Sequence, residues 1–407
     1  MGKTVYILGA GFSKPAGFPK QVDLLPDLLN RIIDFEQLSS PDQFIPFDFS
    51  GPILEFLTKS GFVKNDELVF AITLEDLFTL LDQAITSRNT FVGYNWVDLI
   101  KIRDCLIRGV LGLLHGCAHK HIPGSEQRYK LFAANLISKR IKARVEDPKE
   151  DPFAIISLNW DSLVEDSLFW VLDQAGGIRN GRALADVDYC VYTTPLPNSP
   201  HTPSTKQKAS GTYNIKLLKM HGSSTWLRCP CSDLVYTGLG MKEPAYNIYV
   251  KQCFSPFIKE HLDEREKESP AVLEPYIITP TFSKVFDLPH IQTTWHNAFL
   301  ELREADEVVF IGYSLPDADY HFRALLRRAI LSTTPIKVIL HESDKPPENP
   351  SADSRAVYPA QRYRQVFNEE KLTFDYDGVE GFAKSFASEE QLPAAIEQIK
   401  GRFLIDN

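Results

Sequence analysis

This chain lacks most of the features that announce a compartment or a bulk partner. No apolar run approaches the ~20 residues needed to span a bilayer, so no membrane association is expected. Positive charge is not in excess: 44 Lys and Arg stand against 53 Asp and Glu, for a formal net charge of −9. That argues against coating nucleic acid through bulk charge and leaves room only for a local basic patch. The six cysteines are scattered, which fits a reducing, cytoplasmic setting better than a disulfide framework. The apolar run after Lys3 dissolves into glycines, the mark of a strand rather than a signal peptide, and Tyr6 stands where a myristoylation signal wants Ser or Thr. No GxxxxGK[ST] phosphate loop is present.

What is present is an ordinary globular composition, 43% apolar and 24% charged over 407 residues, enough for one large core or two smaller ones. Thr4–Leu8 is a short, β-branched and apolar run of the kind buried in a parallel sheet. It breaks into Gly9-Ala10-Gly11 and Ser13, followed by Gly17 and Pro19, and then a helix from Asp23 through Ile33 with Pro26 in its first turn. Strand, glycine turn and helix together make an anion cradle, since glycines let backbone N–H groups approach a phosphate. The third glycine of the dinucleotide fingerprint is missing, because Lys14 occupies its place, so a dehydrogenase loop is not expected.

Further along, residues 71–144 read as helical, with Leu74, Leu77, Phe78 and Leu81 at helical spacing, and Ser39–Gly51 reads as an irregular packed loop. Strands are expected at Phe153–Leu158, Ile215–Met220, Tyr276–Thr279, Glu307–Ile311 and Ile336–Leu340, with helices over Ser162–Gln174, Pro289–Ala305 and Asp319–Leu331. Asn180–Gly211, rich in Pro, Ser and Thr, reads as a surface loop. Cys229–Pro270 reads as a hairpin or small β element followed by a charged helix around His261–Lys267. The last sixty residues carry a helix, a short strand near Thr373–Tyr376 and a C-terminal helix. Alternating strands and helices predict an α/β fold with a Rossmann-like, mostly parallel sheet. A helical insertion over about 36–149 is expected to interrupt a core formed by about 1–35 and 150–345, with 346–407 as an α/β extension packed on the same domain.

In such sheets ligands bind beyond the carboxyl ends of the strands. Five polar motifs fall there: Gly9-Ala10-Gly11, Asn159-Trp160-Asp161, His221-Gly222, Gly312-Tyr313-Ser314 and Glu342. This ordered set resembles the sirtuin-like NAD-binding domain family, over about residues 1–35 and 150–345. Within that family it resembles the bacterial branch that consumes NAD in antiviral defence, where an Asn-aromatic-Asp motif and an HGS-x-x-W motif are typical; here these are Asn159-Trp160-Asp161 and His221 to Trp226.

The resemblance implies that Gly9, Ala10, Gly11 and Ser13 hold the pyrophosphate of NAD, and that Gly312, Ser314 and Glu342 line the ribose and adenine side. It implies that Asn159 and Asp161 hold the nicotinamide ribose and a positioned water, with His221 as general base. The chemistry asks for such groups, since cleavage at C1′ builds positive charge on the ribose that an amide oxygen and a carboxylate can stabilise. The local alternatives are that Asn159 caps the following helix, Asp161 serves its dipole, His221 is a satisfied core histidine, and Gly312 closes a strand.

Deacylating sirtuins follow their GxP with an acidic residue and an aromatic-arginine pair, where this chain has Lys20-Gln21-Val22, and they carry a four-cysteine zinc module. Here Cys229-Pro230-Cys231 and a distant Cys253 cannot close a Cys₄ site, so no metal is expected. The expectation is an NAD glycohydrolase releasing nicotinamide and ADP-ribose, linear or cyclic, as a gated effector in defence against phage. The alternative is an NAD- or ADP-ribose-binding scaffold subunit, and a protein deacylase stands behind both. The resemblance further implies a homo-oligomer and a separate ATPase, helicase-like or sensor protein as partner.

Overall fold

The computed structural model describes residues 2–38, 47–65, 67–69, 72–119, 125–147, 150–176, 185–191, 194–195, 213–230, 233–237, 273–281, 288–346, 358–384 and 391–405. They fall into two compact units: 1–16 with 121–221 and 287–407, and 17–120 with 222–286.

The first unit is built on seven strands: β1 Thr4–Leu8, β2 Phe153–Ser157, β3 Ala185–Asp188, β4 Tyr213–Lys219, β5 Glu307–Ile311, β6 Ile336–Ile339 and β7 Leu372–Asp375. They form one sheet in the order β7-β6-β5-β1-β2-β4-β3. Every neighbouring pair is parallel. This is the expected α/β, Rossmann-like architecture. All residues of β1 and β2 are buried, because a parallel sheet is covered on both faces and its central strands must be apolar throughout. Alternation then sorts them. Val5, Ile7, Ala154, Ile156 and Phe310 pack with Ala298 and Leu302 of helix Pro289–Arg303 and with Phe322 and Leu326 of helix Tyr320–Ala329. On the other face Tyr6 meets Phe132 of helix Ser125–Glu146 edge-on at 5.7 Å.

The direction of winding changes beside β1. From there the chain builds β2, β4 and β3 to one side and later returns to lay β5, β6 and β7 on the other. Open parallel sheets offer a ligand crevice at such a point, beyond the strand ends.

The second unit holds helices Leu24–Leu38, Phe47–Lys59, Leu74–Thr86 and Trp96–His119. It also holds strand Gly222–Arg228, paired antiparallel with Val235–Thr237 and Glu274–Ile277. Thr73 starts its third helix with a capping box: Asp76 N donates to Thr73 Oγ1 at 3.2 Å and Thr73 N to Asp76 Oδ2 at 2.9 Å.

The expected insertion over 36–149 is divided between the units. Helices up to residue 120 lie in the second, whereas Ser125–Glu146 lies in the first. Two stretches read as loops carry regular structure. Ala185–Asp188 is a parallel edge strand, where only Val187 needs to be apolar because an edge strand is covered less. Helix Phe47–Lys59 extends back into the stretch read as irregular; Ile53, Phe56 and Leu57, fully buried at i, i+3 and i+4, outweigh the nearby Pro52. The charged helix around His261–Lys267, Cys231, Cys253 and most of Asn180–Gly211 and Ser39–Gly51 lie outside the described residues.

Candidate functional site

Because all seven strands run the same way, the residues that follow them gather along one edge of the sheet. Main-chain hydrogen bonds extend the pairing past the strand ends: Gly9 N to Ile311 O at 3.1 Å, Leu158 N to Leu8 O at 3.0 Å, Met220 N to Ser157 O at 3.0 Å and Gly312 N to Ile339 O at 2.9 Å. Gly9, Asn159, His221, Gly312 and the residues before Glu342 therefore leave adjacent strands side by side.

The glycines at this edge are required by close packing. A Cβ on Gly9 would lie 2.6 Å from Tyr313 Cα, and one on Gly11 would lie 2.7 Å from Gly312 O. Gly312 adopts φ +63 in the left-handed region and abuts the main chain of Gly11 and Phe12. The N–H groups of Gly9 and Gly11 donate to the carbonyls of Ile311 and Gly312, the latter at 2.8 Å, and so bind the two turns to each other. Ala10 opens the short helix Ala10–Ser13, with Ser13 buried at its end.

Asn159 is turned toward that helix. Its Nδ2 donates to Gly9 O at 2.9 Å and Ser13 Oγ at 3.2 Å. A main-chain carbonyl can only accept, so the amide nitrogen faces Gly9 and Oδ1 is the acceptor the amide presents elsewhere. Asn159 thus joins the loops after β1 and β2 and does not cap the next helix. The N-cap residue of that helix, Leu163–Gln174, is Ser162, whose side chain makes no cap bond; Asp161, one residue earlier, accepts from Leu163 N through Oδ1 at 3.1 Å.

His221 is buried, with Nδ1 3.1 Å from Leu158 O. The carbonyl again decides the tautomer: Nδ1 carries the hydrogen, and in the neutral ring Nε2 carries the basic lone pair. Trp295 stands beside the imidazole, ring centres 6.4 Å apart, and its Nε1 donates to Met220 O at 2.9 Å.

Behind this edge lies a group of charges. Lys219, fully buried at the end of β4, places Nζ 3.0 Å from Glu165 Oε1 and 2.6 Å from Asp161 O. Burial pushes the Glu165 carboxyl up, and Lys219 opposes that shift. Asp166 accepts from Ser162 Oγ at 2.6 Å, and burial pushes its carboxyl up to about 8.

On the β5 side Tyr313 OH donates to Asp319 Oδ2 and Tyr363 OH donates to Tyr313 O, both at 2.8 Å, fixing the turn after Gly312. Ser314 is exposed, its carbonyl accepting from Arg362 Nη1 at 3.3 Å. Glu342 is exposed in the single turn Glu342–Asp344 after β6. Gly9, Ser13 and Asn159 are therefore in direct contact, and Gly312 packs on Gly11. Asp161 and His221 join through their neighbours Lys219 and Leu158. Ser314 and Glu342 share the edge without bonding to the others. Lys219, Glu165 and Trp295 were not anticipated as site residues. The available signal was a lysine placed just before His221 in an otherwise apolar strand end.

No family model matches the chain, and no curated protein matches it. Solved structures do. A Sir2 homologue in complex with NAD aligns over 97% of this chain and 90% of its own length, at 12% identity and a TM-score of 0.38. A structure solved for the basis of sirtuin substrate affinity aligns over 96% and 93%, at 14% identity and 0.35. A Sir2 homologue mutant in complex with ADP-ribose aligns over 98% and 93%, at 12% identity and 0.34. The likeness is distant, and the architecture rests on the strand order and register above.

Proposed function

We propose that this edge cleaves the N-glycosidic bond of NAD. The observation that carries the reading is the juncture of Asn159 with Gly9 and Ser13, beside a histidine whose tautomer is set by Leu158. The C1′–N bond breaks with its electron pair going to the ring nitrogen, so neutral nicotinamide departs. Asn159 Oδ1 and the Asp161 carboxylate stabilise the cation left on the ribose. Water adds at C1′ and gives its proton to Nε2 of His221, yielding ADP-ribose. A ribose hydroxyl or adenine nitrogen acting as nucleophile instead gives a cyclic product.

In this reading Gly9, Ala10, Gly11 and Ser13 form the wall against the pyrophosphate. The N–H groups of Gly9 and Gly11 already bind Ile311 and Gly312, so the glycines serve by letting the two turns pack rather than by donating. Gly312, Ser314 and Glu342 line the ribose and adenine side. The role suggested by the sequence resemblance is a gated NAD-depleting effector in antiviral defence, working as a homo-oligomer with a separate sensor or ATPase-like partner.

The test is nicotinamide release from NAD by the purified chain, followed chromatographically. His221→Ala and Asn159→Ala each lower the rate by about 10²-fold or more. Variants as fast as wild type would refute the assignment. Release that requires an acetyl-lysine peptide would make the protein a deacylase instead.

A further inference from the structure

Asp161 is tied down from behind by a side chain that reaches no solvent. Lys219 Nζ lies 2.6 Å from the Asp161 carbonyl and 3.0 Å from Glu165 Oε1, and the lysine is fully buried. An ammonium offers three donors; one goes to the Asp161 carbonyl, and Glu165 stands at ion-pair distance. Lys219 stands two residues before His221, and Asp161 two residues after Asn159. One side chain therefore links the strand bearing the histidine to the loop bearing the amide.

We infer that Lys219 is a positioning residue for the Asn159–Asp161 loop, holding it by the Asp161 carbonyl, with Glu165 as its countercharge. The inference rests on the NAD-cleavage reading for its kinetic consequence, though not for its structural one. Asn159 is held from the front by Gly9 and Ser13. The bond to Asp161 O holds the same loop from behind, just before helix Leu163–Gln174, whose first N–H binds the Asp161 side chain. An apolar side chain of similar length would fill the space and leave that carbonyl without its ammonium. A displacement of about 1 Å at a reacting group can lower a rate by ~10²-fold. The competing view is that Lys219 and Glu165 merely neutralise each other, in which case an apolar pair of similar volume would serve as well.

The double variant Lys219→Met/Glu165→Leu separates the two. It leaves no unpaired buried charge, so its thermal midpoint falls only by what the Asp161 carbonyl loses with its partner. Amide hydrogen exchange in residues 158–162 is expected to speed up about ten-fold or more while β1 and β2 stay protected. Turnover of NAD falls by about 10²-fold with little change in KM. Wild-type protection of 158–162 in this variant overturns the inference.

Glu165→Gln is the second variant: it removes the countercharge and leaves Lys219 buried and unpaired, so its thermal midpoint falls below that of the double variant. A midpoint equal to that of wild type would show that Glu165 is not the countercharge of Lys219 and would overturn that part of the inference. If wild-type protein releases no nicotinamide, the functional reading fails, and the exchange data still decide whether Lys219 holds the loop.

Discussion

The side-chain amide of Asn159 donates to the main-chain carbonyl of Gly9 at 2.9 Å, joining positions 150 residues apart. This bond fixes the orientation of the amide and locks the loops after the two central strands. Asn159→Asp replaces a donor with an acceptor against that carbonyl. It should cost about 1–3 kcal/mol, the range for a buried polar group left unmatched. Urea unfolding measures the stability loss, and nicotinamide release should fall together with it. A variant with unchanged stability and turnover would show that the bond does not organise the site.

Gly312 permits no side chain. Its φ of +63 lies in the left-handed region, and a Cβ there would meet the main chain of Gly11 and Phe12. Because the obstructing atoms are backbone, they cannot yield as a flexible side chain would. Gly312→Ala should destabilise by about 2 kcal/mol or more, combining backbone strain with the clash. Gly401, in helix Leu392–Ile405 with nothing within 4 Å of a Cβ, is the control. Gly401→Ala should stabilise by about 0.5–1 kcal/mol.

At the opposite end of the sheet Asp151 joins three cations. Its oxygens lie 2.6 Å from Lys216 Nζ, 2.8 Å from Arg140 Nη2 and 2.9 Å from Lys3 Nζ. Burial alone would raise its carboxyl, but the three cations together hold it well below the usual carboxylate range. A depressed folded-state pKa contributes stability above the unfolded value, and that contribution is lost as pH falls toward the folded value. Asp151→Asn should therefore destabilise near neutrality and flatten the loss of stability in acid. The cost should fall between the ~1 kcal/mol of an exposed pair and the ~3–5 kcal/mol of a buried one. Denaturant titrations between about pH 3 and 7 span the unfolded carboxylate value and would show it.

Asp166 has the opposite sign. Burial raises its carboxyl to about 8, so the folded chain keeps a proton that the unfolded chain releases. Between the ordinary carboxylate value of about 3.9 and the raised one, stability falls as pH rises. Asn carries no proton to lose and still presents an oxygen to Ser162. Asp166→Asn should therefore raise the thermal midpoint at pH 7 relative to wild type, with the difference shrinking toward pH 4. A variant that melts lower than wild type at pH 7 would show that Asp166 is ionised in the fold.

Much of this arrangement was legible before any coordinates. β5 was bounded correctly at both ends, and β1 and β2 stood out because a strand covered on two faces must be apolar along its whole length. The gathering of the candidate residues followed from one topological rule, since parallel strands deliver Gly9, Asn159, His221 and Gly312 to a common edge. The edge strand Ala185–Asp188 was not legible. Its Ala-Asp-Val-Asp composition matches a loop, and it is a strand because Tyr213–Lys216 offers a ladder beside it. Asp161 was read as an acid that could serve the dipole of the helix after it. In the fold its carboxylate accepts from Leu163 N, Glu165 stands beside Lys219, and the Asp166 carboxyl is pushed up.

The sequence by itself determined the parallel α/β architecture and which residues stand at the strand ends, because periodicity, apolar runs and glycine turns are local properties. Only the tertiary structure decided what the turn glycines do: their N–H groups bind the turn after β5, and their missing side chains let the two turns touch. It also decided that a buried lysine stands behind Asp161. Such contacts join residues far apart in sequence, and their energy comes from excluding water, which no short stretch of chain can do alone.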